Sequence, residues 1–275
     1  MTQNYSILQS QPRLNLLQTL QLGFFISNSF SWLSGIMDQL PLHSDLWGEH
    51  FLDYQSYGIQ TPPLMMQLGC GVIVPYPRYV FVGDYLLPGE QIIARLAEGR
   101  ILEIGAGWGR VSAALRAMGK DVVTTDASDG ALELYKRRGW DNIEKLVLPE
   151  RIRGPYNTVI CLGNVISLIP GWGAIFNAIK SIHAGLAQGG FFFLSNADVS
   201  LLDAVLYGTS LTDVEPFQFR RRFIYQDRRG PWDIFTPTSL GVLGLLLHEV
   251  GFKVHWAFFA EHEAKGRYYL LARKA

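Results

Sequence analysis

Cysteine is scarce: 275 residues hold two, Cys70 and Cys161. They are too few and too dispersed for a disulfide framework or a zinc site, and Cys161 sits inside an apolar run. Both read as reduced core thiols, the expectation for a cytoplasmic protein. Charge of one sign is missing too, since 24 basic residues face 24 acidic ones. That balance leaves no basic footprint for nucleic acid. Charged residues make up only 17% of the chain against 48% hydrophobic, the signature of a globular, rather apolar protein. Long apolar runs are also missing. A membrane span needs roughly 18 or more uninterrupted apolar residues, and the nearest approach, residues 20–40, is broken by Asn28, Ser29, Ser31, Ser34 and Asp38. Met1-Thr2-Gln3-Asn4 lacks the positive start of a secretory signal. The expectation is a protein without membrane or nucleic-acid partners, built as one large domain or one domain plus a cap.

What the chain does have is Arg100-Ile101-Leu102-Glu103-Ile104-Gly105-Ala106-Gly107-Trp108-Gly109-Arg110, followed by Val122-Val123-Thr124-Thr125-Asp126. An apolar run ends in a glycine-rich turn that opens into the helical pattern of residues 111–118. A β-branched run then ends in a carboxylate. Glycines let backbone approach a ligand without Cβ clashes, and the new helix turns its free N–H groups toward it. Asp126, 21 positions after Gly105, stands where a second strand should end, placed to accept from two ribose hydroxyls. The dinucleotide fingerprint wants a third glycine at the sixth position. Here that position is Arg110, and the extra glycine comes one place early, at Gly109.

Glu-Ile-Gly-Ala-Gly-Trp-Gly resembles motif I of the class I S-adenosylmethionine-dependent methyltransferases. The rest of the chain supports the resemblance. Helices over 131–138 and 173–186 alternate with strands over 143–148, 156–162 and 191–194, which means parallel βαβ units. Thr236-Pro237-Thr238-Ser239 carries helix-start chemistry for residues 240–250. Residues 252–259 and 267–271, joined by a short polar loop, can only form an antiparallel hairpin. A doubly wound, mostly parallel seven-stranded α/β sheet closing with such a hairpin is what the resemblance implies, over roughly residues 91–273. Residues 1–90, with helical spacing from 14 to 42, form a helical N-terminal cap. Residues 91–275 form the S-adenosylmethionine-binding domain, interrupted by an insertion at 199–235. In open α/β sheets ligands bind beyond the carboxyl ends of the strands, so cap and insertion are read as walls of an acceptor pocket.

The resemblance assigns Glu103, Gly105, Ala106, Gly107, Asp126 and Ala127 to the cofactor. The family commonly places an acidic or polar residue after the third strand. Lys145-Leu146-Val147-Leu148-Pro149-Glu150 has none at the expected place, so backbone around Leu148 must serve. Gly163 and Asn164, after the fourth strand, should pass near the sulfonium, Asn164 as pocket residue or turn-former. Trp108 either covers the cofactor or packs beneath the helix. Arg110 makes a salt bridge or a ligand contact.

A divalent metal would need carboxylates at the ends of the fourth and fifth strands. Those ends read Gly163-Asn164 and Ser195-Asn196-Ala197-Asp198, so no metal is expected. His183, His248, His255 and His262 fall on helices, a strand and a hairpin loop as structural or surface residues. His43 and His50 remain as candidate bases, and helical spacing would put Asp53 on the face of His50. The pair His50–Asp53 is the candidate catalytic set. The arginines of 220–222 and 228–229 read as a solvated hairpin. The expected function is methyl transfer to a small, partly apolar molecule, chiefly O-methylation of a specialised metabolite. N- or C-methylation or cyclisation would share the same pocket, and a nicotinamide-dependent oxidoreductase is the alternative from another class.

Overall fold

The computed structural model describes residues 41–69, 71–76, 85–197, 218–260, 263 and 266–275. Expectations for residues 14–40, Cys70, Asp198, residues 199–217 and His262 lie outside the described residues. Helix α1 (Leu46–Tyr57) is capped by Asp45, whose Oδ1 accepts from Gly48 N at 3.0 Å, and ends at Gly58. Strands β1 (Met65–Leu68) and β2 (Ile73–Pro75) follow. Helix α2 (Pro88–Leu96) opens on proline and runs across the expected boundary between residues 90 and 91.

The alternating part then comes in order: β3 (Arg100–Ile104), α3 (Arg110–Ala117), β4 (Asp121–Asp126), α4 (Asp129–Arg137), β5 (Ile143–Lys145), β6 (Tyr156–Cys161), a 3-10 turn (Val165–Leu168), α5 (Trp172–Gly185) and β7 (Leu186–Ala197). After it stand β8 (Phe219–Tyr225), β9 (Arg228–Arg229), β10 (Asp233–Phe235), α6 (Leu240–Val250), β11 (Phe252–Phe259) and β12 (Arg267–Lys274). The seven-stranded sheet has the order β11-β12-β7-β6-β3-β4-β5. Its strands β5, β4, β3, β6 and β7 are parallel, and β12 runs antiparallel to both β7 and β11. Successive side chains point to opposite faces. Leu102, Ile104, Val159 and Phe192 therefore pack on α5 and α6, and Ile101, Val122, Ile160 and Phe193 on α2 and α3.

Three expectations shift. The third strand stops at Lys145 rather than Leu148, although Leu146 N still donates to Asp126 O at 3.1 Å. The fifth begins at Leu186, not Phe191: α5 runs straight into it, and Gly190 sits where a Cβ would lie 2.9 Å from Ala187 O. The cap of α6 is Ser239, accepting from Val242 N at 3.3 Å, so Pro237 precedes the helix instead of opening it.

The insertion and the cap join in a second sheet. β8 is its centre, with β10 and β9 pairing β8, β1 on the other side of β8, and β2 outside β1, all antiparallel. Thr236 N, just past β10, donates to Ser167 O at 2.8 Å and ties this sheet to the 3-10 turn after β6.

Candidate active site

Parallel register sets the site. Thr125, Ile104, Cys161 and Leu194 lie in one row across β4, β3, β6 and β7. Asp126, Gly105 to Gly107, Leu162 to Asn164 and Ser195 therefore follow at a common edge. Gly105 and Gly107 have φ of 66° and 58°, which β-bearing residues adopt at a cost. A Cβ on Gly105 would lie 2.5 Å from Val165 Cγ2, so this glycine lets the loop nestle against the 3-10 turn. A Cβ on Gly107 would meet nothing closer than Phe51 Cζ at 3.7 Å. Gly107 presents open backbone to the edge.

Hydrogen bonds lock that backbone. Gly107 N donates to Asp126 Oδ2 at 2.7 Å, Ser128 N to Asp126 Oδ1 at 2.9 Å, and Tyr135 Oη to Gly107 O at 2.7 Å. Ala106 N donates to Thr125 O at 3.0 Å. Burial pushes the Asp126 carboxyl above the usual range, opposed by the N–H groups of Ser128 and Gly107. Ala127 is exposed beside it. Glu103 stands behind the loop, 4% exposed, accepting from the Ser112 hydroxyl of α3. Burial pushes its carboxyl up to about 7, against the lowering effect of that hydroxyl. Cys161 is buried in β6, its thiol pushed up to about 12 by desolvation.

On the β6 side, Gly163 N donates to Ser195 Oγ at 3.0 Å and Asn164 N to Ser195 O at 3.3 Å. Both residues are left-handed, with φ of 71° and 70°. A Cβ on Gly163 would find no heavy atom within 4 Å. Leu148, three residues beyond β5, is half-buried against the core, so a loop bounds that side. Two glycine backbones and a strand-end carboxylate thus face one edge of the sheet.

No protein-family model and no curated protein matches the sequence. Solved structures do match. An S-adenosylmethionine-dependent methyltransferase from Bacteroides fragilis, solved with S-adenosyl-L-homocysteine, aligns with a TM-score of 0.68 at 21% identity, covering 86% of this chain and 97% of that one. One from Methanosarcina mazei gives 0.57 at 18% identity, with 69% and 98% covered. One from Clostridium acetobutylicum gives 0.54 at 13%, with 67% and 87% covered. The chain has the class I methyltransferase fold.

On this methyltransferase fold the third glycine has an internal role. Gly109 has φ of 78°, and a Cβ there would lie 2.7 Å from Trp140 Cη2 and 3.1 Å from Tyr135 Cε1. Its position one residue early is set by packing of the loop on α4. Trp108 packs between α1 and α4: its ring lies 6.1 Å from Phe51 and 5.4 Å from Tyr54, with the Arg138 guanidinium 4.3 Å above it. Arg110 makes the salt bridge, 2.5 Å to Glu90 of α2.

The candidate catalytic pair lies on one helix at the expected spacing. α1 is helical as expected, and His50 is 3% exposed, edge-on to Tyr225 at 5.1 Å and beside Tyr54 at 6.5 Å. Asp53, however, accepts from Tyr225 Oη at 2.7 Å and Gln226 Nε2 at 3.2 Å. Burial and this carboxylate raise the Tyr225 hydroxyl well above the usual range. Asp53 thus fastens α1 to β8, a partner distant in sequence that spacing along one helix could not reveal. His43 Nδ1 lies 3.8 Å from Glu49. His183 packs on Phe252, and burial lowers its pKa; His248 and His255 are exposed.

The solvated arginine hairpin is corrected. Arg221 and Arg222 are 5% and 1% exposed. Arg221 lies 3.2 Å from Asp233 and 4.6 Å over the Phe235 ring, while Arg222 donates to Gln67 Oε1 at 2.7 Å and lies 4.5 Å over Trp232. Strand alternation does separate Arg221 from Arg220 and Arg222, but acceptors and rings on β1, β10 and the turn before it replace water. Arg228 pairs with Glu49 of α1. Among the described residues no cluster of His, Cys, Asp or Glu could hold a metal, and no helix is long and apolar enough to cross a membrane.

Proposed function

We propose that this chain is a metal-independent, S-adenosylmethionine-dependent methyltransferase of a small, partly apolar acceptor, acting on oxygen in a specialised metabolite, in the cytoplasm. The observation that supports it most is the bond between Gly107 N and Asp126, which joins the open glycine backbone to the strand-end carboxylate. Each carboxylate oxygen accepts one N–H from the protein and has a second lone pair for a ribose hydroxyl. Gly105, Ala106 and Gly107 would line the cofactor, with Ala127 and the backbone near Leu148 flanking its adenine. Gly163 and Asn164 would face its sulfonium end, with Glu103 supporting the loop from behind. The cofactor supplies an activated methyl group. The chain's own work is to hold the acceptor in line, exclude water and let a proton leave.

The aromatic character of the wall supports an apolar acceptor. Phe219 and Phe235 pack at 4.9 Å on the small sheet, and residue 236 bonds to the turn that follows Asn164. N- or C-methylation and cyclisation would use the same cofactor pocket. Calorimetric titration separates the classes: S-adenosylhomocysteine should bind and NADH should not. Binding of NADH alone would replace this proposal with the oxidoreductase.

His50 is the candidate base, with Asp53 as its partner. His50→Ala should cut kcat by the roughly 10²- to 10⁴-fold that general-base help is worth while leaving cofactor affinity unchanged. A kcat near the parent value in a folded variant, measured at saturating acceptor, would leave His50 only a packing role beside Tyr225.

A further inference from the structure

We infer that Asp45 is a positioning residue that couples the seat of the cap helix to the cofactor-binding turn, an inference that rests on the methyltransferase reading. Asp45 is read above only as the cap of α1. Its second oxygen, Oδ2, leaves that helix and accepts from Ser128 Oγ at 3.0 Å and from Gly130 N at 2.9 Å. Ser128 Oγ in turn caps α4 by accepting from Ala131 N at 3.0 Å. One carboxylate therefore serves the starts of two helices that belong to different parts of the molecule.

The link continues to the cofactor side. Ser128 N donates to Asp126, and Asp126 accepts from Gly107 N, so Asp45, Ser128, Asp126 and Gly107 form one hydrogen-bonded series. Backbone packing fixes the same contact. A Cβ on Gly48 would lie 2.5 Å from Gly130 Cα, and one on Gly130 would lie 2.3 Å from Gly48 Cα. The two helix starts touch through bare backbone, and in that seat Phe51 lies beside Gly107 and the Tyr54 ring 5.4 Å from Trp108. The other side of α1 is held by Tyr225 on Asp53 and Arg228 on Glu49. Any ligand that orders the turn at Asp126 and Ser128 will thus also order α1, and through it the wall formed by the small sheet.

Asparagine separates this role from helix capping. Asp and Asn cap helices about equally well, so Asp45→Asn can keep the bond to Gly48. Its single carbonyl oxygen cannot also serve Ser128 and Gly130. The experiment uses the full chain with S-adenosylhomocysteine as probe, measuring affinity by calorimetry and hydrogen exchange at α1 and at residues 105–109. In the parent protein the probe should slow exchange at both places. In Asp45→Asn the melting temperature should fall by only a few degrees, because Gly130 N loses its acceptor while the cap bond to Gly48 survives. Affinity should fall about tenfold, the scale of a lost hydrogen bond to a charged acceptor, and protection should persist at 105–109 but vanish at α1. Parent affinity and parent protection of α1 in Asp45→Asn overturn the coupling alone. A parent protein that does not bind the probe overturns the methyltransferase reading and the coupling with it.

Discussion

Gly107→Val is expected to abolish measurable binding of S-adenosylhomocysteine while leaving the circular dichroism spectrum unchanged. The native φ of 58° is left-handed, a conformation that costs an L residue roughly 1–2 kcal/mol and a β-branched one more. The space beside Gly107 is open to 3.7 Å, so no core contact forbids the side chain and the fold survives. The loop can escape the strain only by rotating Gly107, and that breaks its N–H bond to Asp126 and the bond from Tyr135. If it does not rotate, the isopropyl group occupies the open edge. Either outcome removes the backbone approach a ligand needs. Retained spectrum together with retained binding would make the loop structural and withdraw the cofactor assignment.

Asp126→Ala should weaken S-adenosylhomocysteine by about 2–3 kcal/mol, roughly 30- to 150-fold, by leaving donors of both loop and ligand without a charged acceptor. The loss has two parts. Ligand hydroxyls lose their acceptor, and so do Gly107 N and Ser128 N, which hold the loop in its receptive shape. Asp126→Asn, which can still accept one of those bonds, should fall between. The measurement is calorimetric affinity across the three proteins. Equal affinities would place the ribose elsewhere.

The main sheet was legible because its signals are local. Strand runs, glycine stops and the polar loop between β11 and β12 each span a few residues, and parallel βαβ logic orders them. Glycine was misread where it served packing. Gly189 and Gly190 look like a stop between helix and strand, yet they lie inside β7, where Gly190 fits against backbone of Ala187 and Asn157. Of the small sheet, the hairpin at residues 217–235 was legible and β8 does pair β9 and β10, but its extension onto β1 and β2 was not. β1 and β2 are four and three residues long, without a clear alternation, and their partner β8 follows the whole alternating region. Buried arginines escaped for the same cause, because Asp233, Gln67 and Trp232 are not neighbours in sequence.

At the site, the glycine loop and Asp126 could be read because left-handed, closely approached backbone leaves glycine in the sequence. The pairing of His50 with Asp53 could not be checked that way. Helical spacing states which residues share a face, and Tyr225 engages both from outside, Asp53 by a hydrogen bond and the His50 ring edge-on. Asp45 gave no signal beyond that of an ordinary helix cap, since its second set of partners begins at Ser128.

The small sheet also bears on the order in which the molecule assembles. Met66 on β1 faces Phe223 on β8, and closing a loop of roughly 150 residues carries an entropic cost that contacts made early cannot offset. The parallel strands between them have short-range partners and can associate first. β8 arrives only after most of the main sheet has been synthesised, so β1 and β2 must wait with an unpaired strand edge exposed. The small sheet is thus expected to form late in refolding, and to be the part most open to wrong pairing between chains while it waits.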